Sequence, residues 1–464
     1  MKKWKMPLSL IKILNTFFVL IPFLLCWYLY YEPLTFTARS RQVSALIIIL
    51  YSIVFYTLCL KLDGFRASIR KISELVYSQI IAIAITDVCA AVMIWIMSMW
   101  FPNLFPGFLC FLGQCAIIPF ICWIEHTSFY KNHEPQKTLV VFDARHGAEK
   151  LISAYGMEKS FEVIGVLPVE EVLDRIGILD EAKVVFICGI HSTDRNKILK
   201  ECMYRDLQVY IIPRIGDVLM SGAEKMHMFH LPMLRSKRFQ PLSEYRGIKR
   251  FMDILISGIA IILLSPIMIA TVIAVKMDGG PAFYKQVRLT QNGKTFKILK
   301  FRSMCVDAEK MTGAVLSSGE NDPRITKVGR FIRACRIDEM PQLINIFKGD
   351  MSIVGPRPER PEIAAVYEKE LPEFRLRLQA KAGLTGYAQV YGKYNTTPYD
   401  KLLMDLMYIS SASLFMDLRI AIETLRILFD KQSTEGTEDE SATLIYSERA
   451  TKQKRPRKRP ESGE

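Results

Sequence analysis

Two adjacent carboxylates, Asp338 and Glu339, follow a run of cations at Lys327, Arg330, Arg333 and Arg336. Ahead of the apolar stretch that ends at Gly349, such a pair has a plain reading as a helix cap. It also has a chemical one, in which one carboxylate attacks a phosphorus atom while its neighbour holds the metal ion that neutralises phosphate oxygens. Nearby residues fit the second reading. Gly355-Pro-Arg-Pro358 is a stiff turn that keeps Arg357 in one place, as bidentate phosphate binding requires. Upstream, Ala282–Thr290 and Thr295–Phe301 flank Asn292-Gly293, the dipeptide favoured in tight type I′ turns, so a hairpin is expected. Its arms carry Lys285, Arg288, Lys297 and Lys300, with Arg302 just beyond. Asp307 and Glu309 come next, and salt bridges or a helix start explain them most simply.

The elements that must position these residues are dominated by apolar runs. Half of the 464 residues are hydrophobic and mean hydropathy is +0.17, which excludes a disordered chain. The net charge of +14 points to anionic partners: phosphates, nucleic acid or acidic lipid. Ten cysteines, most of them in apolar runs and none in a CxxC pair, fit a reducing compartment rather than a disulfide framework or zinc site.

Ile13–Tyr31, Val43–Leu60 and Phe101–Ile124 carry no charge, and Val76–Trp100 carries only Asp87. Each can cross a hydrocarbon core of ~30 Å as a helix rising about 1.5 Å per residue. Cations cluster before the first run (Lys2, Lys3, Lys5) and between the second and third (Lys61, Arg66, Arg70, Lys71), which places the N-terminus in the cytoplasm. Four crossings return the chain there, so everything after about Glu125 is expected to be cytoplasmic. Asp87 marks either a functional site or a contact with Ser or Thr neighbours inside the bundle, the simpler reading. A fifth run, Ile254–Val275, has Arg246, Lys249 and Arg250 before it and Lys276, Lys285 and Arg288 after it. Ser265-Pro266 sits at its middle, where proline removes a backbone bond. A helix broken there, with both ends drawn to one face, fits a re-entrant hairpin whose freed groups need partners that Ser265 can supply.

Between the membrane runs and the basic region, Thr138–Phe142, Phe161–Val166, Val184–Cys188 and Val209–Ile212 read as strands alternating with helices. That alternation implies a parallel, doubly wound sheet. The first strand-to-helix turn, Phe142–Gly147, has one glycine where a dinucleotide site needs three, so a structural or regulatory use is favoured. Tyr155 and Lys159 match a Tyr-x-x-x-Lys spacing that arises often by chance. His227 and His230, set at helical spacing, lack a third metal ligand.

Ser265-Pro266, Lys300–Met304, Arg336–Leu343, Lys348–Pro358 and Gly383–Val390 together resemble the bacterial sugar transferase family, the monotopic-type polyprenyl-phosphate glycosyl-1-phosphate transferases. The resemblance covers about Tyr245 to Asp430, and the apolar spans and middle domain look like the family's long form. It implies a ping-pong transfer of hexose-1-phosphate from a UDP-sugar to undecaprenyl phosphate, with release of UMP, that initiates capsule, exopolysaccharide or O-antigen repeat units. The family's Asp-Glu dyad falls on Asp338-Glu339, with Asp338 as nucleophile and Glu339 holding Mg²⁺. Met340 is a mild departure in the stretch that follows. Substrate roles fall on Lys300, Lys393 and, more weakly, Asp405; for Arg302 and Arg357 they are favoured over plain basic contacts with the membrane. A homodimer is implied by analogy alone.

The expected architecture is a membrane protein with four transmembrane helices at 1–130 and a degenerate Rossmann-like α/β domain at 131–240. A C-terminal α+β catalytic domain at 245–430 follows, carrying a re-entrant, Pro-broken membrane helix at about 251–275. Residues 402–429 could lie along the membrane interface. Residues 431–464 form a disordered basic tail suited to acidic lipid; its nucleic-acid reading is weak, because no binding fold accompanies it. The competing functions are a membrane-anchored nucleotide-sugar dehydratase, which requires a glycine-rich loop and NAD, and a non-catalytic scaffold of polysaccharide assembly.

Overall fold

In water a helix turns its apolar stripe inward; the first four helices here are apolar on their outward faces as well as inside. The computed structural model describes residues 8–35, 41–68, 71–98, 100–143, 145–239, 241, 243–306, 324–392, 396–429 and 445–446. Helices α1 (Leu8–Cys26), α2 (Arg41–Lys61), α3 (Ile72–Ser98) and α4 (Phe105–Asn132) expose Ile13, Leu46, Ile96 and Phe120. Their polar groups are inside. Asn15 Nδ2 donates to Glu125 at 2.9 Å, and Gln114 Nε2 donates to the Tyr51 hydroxyl at 2.8 Å. The Tyr51 hydroxyl in turn donates to Asp87 Oδ1 at 2.6 Å, so the neighbour of Asp87 is a tyrosine rather than the expected Ser or Thr. Apolar groups outside and paired polar groups inside suit lipid as the surrounding solvent. Among the described residues, five helices are long and apolar enough to cross a bilayer. This is a membrane protein.

The chain forms two compact units, Met1–Ile212 with Asp439–Glu464, and Pro213–Glu438. In the first, the helices lead to β1 (Gln136–Phe142), α5 (Ala148–Ala154), β2 (Phe161–Pro168), α6 (Val169–Asp174), β3 (Val184–Cys188), α7 (Ser192–Tyr204) and β4 (Gln208–Ile212). The strands pair in parallel in the order β2-β1-β3-β4. Leu139, Val140, Val141, Val184 and Val185 are buried, as strands covered on both faces must be. Tyr155 is the C-cap that follows α5 and Lys159 lies in the separate 3₁₀ turn Met157–Lys159, so the two do not share one helix.

The second unit contains α8 (Ile215–Ser221), β5 (Glu224–Met228), β6 (Leu231–Arg235), α9 (Ser243–Met277), β7 (Phe283–Leu289), β8 (Thr295–Phe301), α10 (Lys327–Ala334), α11 (Gln342–Lys348), β9 (Ser352–Val354), α12 (Pro361–Glu370), β10 (Gly383–Thr385), α13 (Tyr387–Tyr391), α14 (Pro398–Ser411) and α15 (Leu414–Phe429). Segment 213–240, expected with the parallel sheet, belongs here instead. Val218 of α8 joins Leu402, Leu403 and Leu406 of α14 in one core, which also puts this face of α14 in protein rather than along a membrane interface. His227 lies on a strand opposite Pro232 and His230 in the adjoining turn at φ 59°, so the expected helical face does not form.

Helix α9 runs through Pro266 without interruption, where a break was expected. Proline lacks the N–H that would bond the Ile262 carbonyl, and Ser265 Oγ donates to that carbonyl at 2.7 Å in its place. Both halves of α9 pack on the same α+β body. Ala260, Ile261 and Leu264 meet Ile298, Leu343 and Ile346, while Met268, Val272 and Val275 meet Phe301 and Ile332. Asp253 accepts from Ser352 Oγ at 3.1 Å and Ile353 N at 3.0 Å. Arg250 donates to the last carbonyls of α11, Ile346 and Phe347, each at 2.7 Å, where a cation complements the helix dipole.

The expected hairpin is present as β7–β8, with Leu289 opposite Thr295. Its connection is the five-residue loop 290–294 rather than a two-residue turn. Asn292 and Gly293 do take left-handed φ of 61° and 73°. The longer loop is tied down from outside: Arg238 donates to Asn292 Oδ1 at 2.7 Å and Gln291 to the Gln379 carbonyl at 2.9 Å.

Candidate active site

The carboxylate pair lies in a single 3₁₀ turn, Ile337–Glu339, ahead of α11 and outside its N-terminus, so the capping role fails. Pro341 is the residue before α11 and makes no side-chain cap. The turn is entered through Arg336 at φ 54° and ψ 21°, a left-handed conformation that a long side chain rarely adopts and that clusters at functional sites. Thr326 caps α10 by accepting from Gly329 N at 2.9 Å, which fixes the helix that delivers this turn.

Lys300, near the end of β8, donates to Glu339 Oε1 at 2.7 Å. Arg357 Nη2, from the turn after β9, reaches the same oxygen at 3.5 Å. Arg288 of β7 and Gln342 of α11 line the cleft with them. Register explains the meeting. Tyr284 faces Lys300, and Arg288 faces Phe296, so Arg288 and Lys300 share one face of the hairpin. Arg288 was legible only as a charge on a hairpin arm; strand pairing was the signal that could have placed it.

The two carboxylates are pushed apart in proton affinity. Burial raises Asp338 above the usual aspartate range and the Glu339 charge adds to this, against Lys300 and Arg333. Burial would raise Glu339 too, but Arg357, Lys300 and Arg336 outweigh it and hold the group at about 2. Glu339 is thus a fixed anion beside a more basic Asp338, the division of labour expected of a catalytic pair.

Other expected site residues lie elsewhere. Arg302 is 8% exposed and does not line the cleft. Its Nη2 donates to the Val275 carbonyl at 2.9 Å, and a Cβ on Gly280, which has φ 83°, would fall 2.5 Å from its Nη1. Arg302 therefore ties the end of α9 to the hairpin. Asp405 is 1% exposed and accepts from Arg377 Nε at 2.8 Å. Lys393, Asp307 and Glu309 lie outside the described residues. Among the described residues no group of three or more His, Cys, Asp or Glu could hold a metal alone. A divalent ion held at the carboxylate pair would draw its remaining ligands from substrate oxygens and water, the usual habit of Mg²⁺ at phosphate sites.

Residues 244–431, which include all but the first residue of α9 and every residue lining the cleft, match the family described as bacterial sugar transferase. A Caulobacter vibrioides protein named UDP-glucose:undecaprenyl-phosphate glucose-1-phosphate transferase is 38% identical over 183 residues, 38% of this chain and 68% of that protein. The chain belongs to the bacterial sugar transferase family. An Aeromonas hydrophila relative named UDP-N-acetylgalactosamine-undecaprenyl-phosphate N-acetylgalactosaminephosphotransferase is 38% identical over 236 residues, 50% of this chain and 55% of the relative. A Salmonella typhimurium relative named undecaprenyl-phosphate galactose phosphotransferase is 31% identical over 299 residues, 60% of this chain and 62% of the relative. The chain spans about half the length of the Aeromonas relative. Within this bacterial sugar transferase the matched region carries the Asp338-Glu339 pair together with Lys300, Arg357 and Arg288.

Proposed function

We propose that this bacterial sugar transferase moves a hexose-1-phosphate from a UDP-sugar to undecaprenyl phosphate, releasing UMP and starting a capsule, exopolysaccharide or O-antigen repeat unit. One observation carries the reading: a carboxylate pair split in basicity, whose Glu339 lines a cleft where Lys300, Arg357 and Arg288 converge and whose Asp338 is the neighbouring residue of the same turn. Such an excess of cations awaits an anion, and a diphosphate supplies it. The names borne by the relatives are of the same kind.

In the first half-reaction an Asp338 carboxylate oxygen bonds to the phosphorus that bears the sugar. The bond from that phosphorus to UMP breaks, and UMP leaves with the electron pair. In the second, an oxygen of undecaprenyl phosphate attacks the same phosphorus, and the Asp338 carboxylate departs unchanged. Lys300 and Arg357 bind the phosphate oxygens and offset their charge against the carboxylates. Glu339 fits as the protein's ligand to Mg²⁺, because it stays ionised and offers a hard oxygen. When bound, that ion supplies divalent charge against the repulsion between donor and carboxylates.

A lipid phosphate lies at headgroup depth, so the cleft belongs at the surface of the bacterial inner membrane, on its cytoplasmic side. The cations flanking both ends of α9, and the packing of both its halves on one body, support a helix held at that one face rather than one that carries the cleft across the bilayer. Fluorescent-protein fusions after residue 430 should fluoresce, and periplasmic phosphatase fusions there should stay inactive; the opposite pattern would overturn this orientation.

The function is tested by supplying a panel of UDP-sugars and undecaprenyl phosphate to the full-length protein in membranes and measuring UMP. One sugar should release UMP in an EDTA-sensitive manner, and release from none would refute the reading. In the same assay Glu339→Gln should raise the Mg²⁺ needed for half-maximal rate on the order of tenfold or more. An unchanged Mg²⁺ dependence would remove Glu339 from the metal.

A further inference from the structure

Arg357 sits on a turn whose backbone is held at every step. Four successive carbonyls accept a hydrogen bond: Pro356 from Gly383 N at 2.9 Å, Arg357 from Arg377 Nη2 at 2.9 Å, Pro358 from Arg288 Nη1 at 3.1 Å, and Glu359 from Leu289 N at 3.0 Å. Gly355 N also donates to the Thr385 carbonyl at 2.8 Å. The strand segment beside the turn comes so close that a Cβ on Gly383 would fall 2.1 Å from Gly355 N. Two of these donors come from arginine side chains, and the more deeply buried of them has its own support.

Arg377 is 3% exposed, and a guanidinium so placed is costly unless paired. Its Nε and Nη2 reach Asp405 Oδ2 at 2.8 Å and 2.7 Å, and its Nη1 reaches Glu359 Oε1 at 3.4 Å. Lys401 pairs with Glu359 from the other side, and the Phe374 ring lies 4.9 Å from the Arg377 guanidinium. An ion network of this kind can serve stability alone, and apolar replacements often serve as well. What sets this one apart is where it ends: on the carbonyl of Arg357, whose own guanidinium reaches Glu339.

We propose that Arg377, clamped by Asp405 and Glu359 and assisted by Arg288, is a positioning residue that fixes the Arg357 backbone so that its guanidinium meets the donor phosphate. The inference rests on the phosphate-transfer reading above. Asp405 then acts through Arg377 rather than on substrate, which accords with its burial. The physical gain is preorganisation: a misplacement of about 1 Å at such a site can cost on the order of a hundredfold in rate.

The test is a double-mutant cycle on UMP release by the full-length protein in nanodiscs, at enzyme excess so that slow variants are measurable. Asp405→Asn, nearly isosteric, should lower kcat/KM for the UDP-sugar by roughly ten- to a hundredfold. Added to Arg357→Ala it should change the rate by less than about twofold, because nothing is left to position. Arg377→Lys keeps the charge but loses the fork and should behave in the same way. Equal proportional losses in both backgrounds, or a wild-type rate for Asp405→Asn, would overturn the proposal. Amide exchange at Gly355, Gly383 and Leu289, whose N–H groups bond at the turn, reads the brace without turnover: it should quicken in Asp405→Asn and Arg377→Lys, and unchanged exchange in both would also overturn it. Should the wild type release UMP from no UDP-sugar, the functional reading fails, and the exchange measurement still decides the brace.

Discussion

Asp338→Asn is expected to abolish the burst of UMP that follows mixing with a UDP-sugar, lowering its rate roughly a thousandfold or more. The amide is close to the carboxylate in shape but cannot form the phosphoryl ester, so binding should persist while chemistry stops. Binding of the donor, followed by isothermal calorimetry, should therefore change far less than turnover. The contrast matters because Asp338 and Glu339 share one 3₁₀ turn and a purely structural role would weaken both measurements together. A non-catalytic scaffold would show no burst in either protein. If Asp338→Asn kept the burst and Asp307→Asn lost it, the nucleophile would have to be reassigned.

The second large effect belongs to Arg357. Arg357→Ala should lower kcat/KM for the donor by about a hundred- to a thousandfold, the cost of removing a preorganised group aimed at developing phosphate charge. Arg357→Lys should recover only part of this, since an ammonium cannot offer two parallel donors to a phosphate. Full activity in the lysine variant would mean that charge alone suffices and that the fixed turn beneath Arg357 has no catalytic use. Initial rates of UMP release over a range of donor concentrations give both values.

Much of this molecule is legible from its residues. Uncharged runs long enough for a bilayer have few other uses, so Ile13–Tyr31 and its three successors mark α1 to α4. The alternation of strand and helix after Lys137 yields the four parallel strands, because buried parallel strands need continuous apolar runs. The Asp338-Glu339 pair and Arg357 stand out by type and spacing, and Arg357 and Lys300 meet at Glu339 Oε1. What escapes is whatever depends on tertiary partners. Segment 213–240 has no local signal of which unit it joins; Val218 decides by packing on α14. Pro266 reads as a break because proline removes a bond, and nothing local shows that Ser265 Oγ replaces it. Arg302 is legible as a cation and Asp405 through the resemblance alone, but neither shows its partner in sequence: the Val275 carbonyl for one and the buried Arg377 for the other. Charge type survives in a sequence; the direction in which a side chain points does not.

The covalent step can be observed directly. The purified protein would be exposed to its UDP-sugar without lipid acceptor, quenched in acid, digested and analysed by mass spectrometry. A hexose-phosphate addition on the peptide containing Asp338, lost when undecaprenyl phosphate is added before the quench, is the expected result. An unmodified Asp338 in a sample that has released UMP in proportion to enzyme would contradict it.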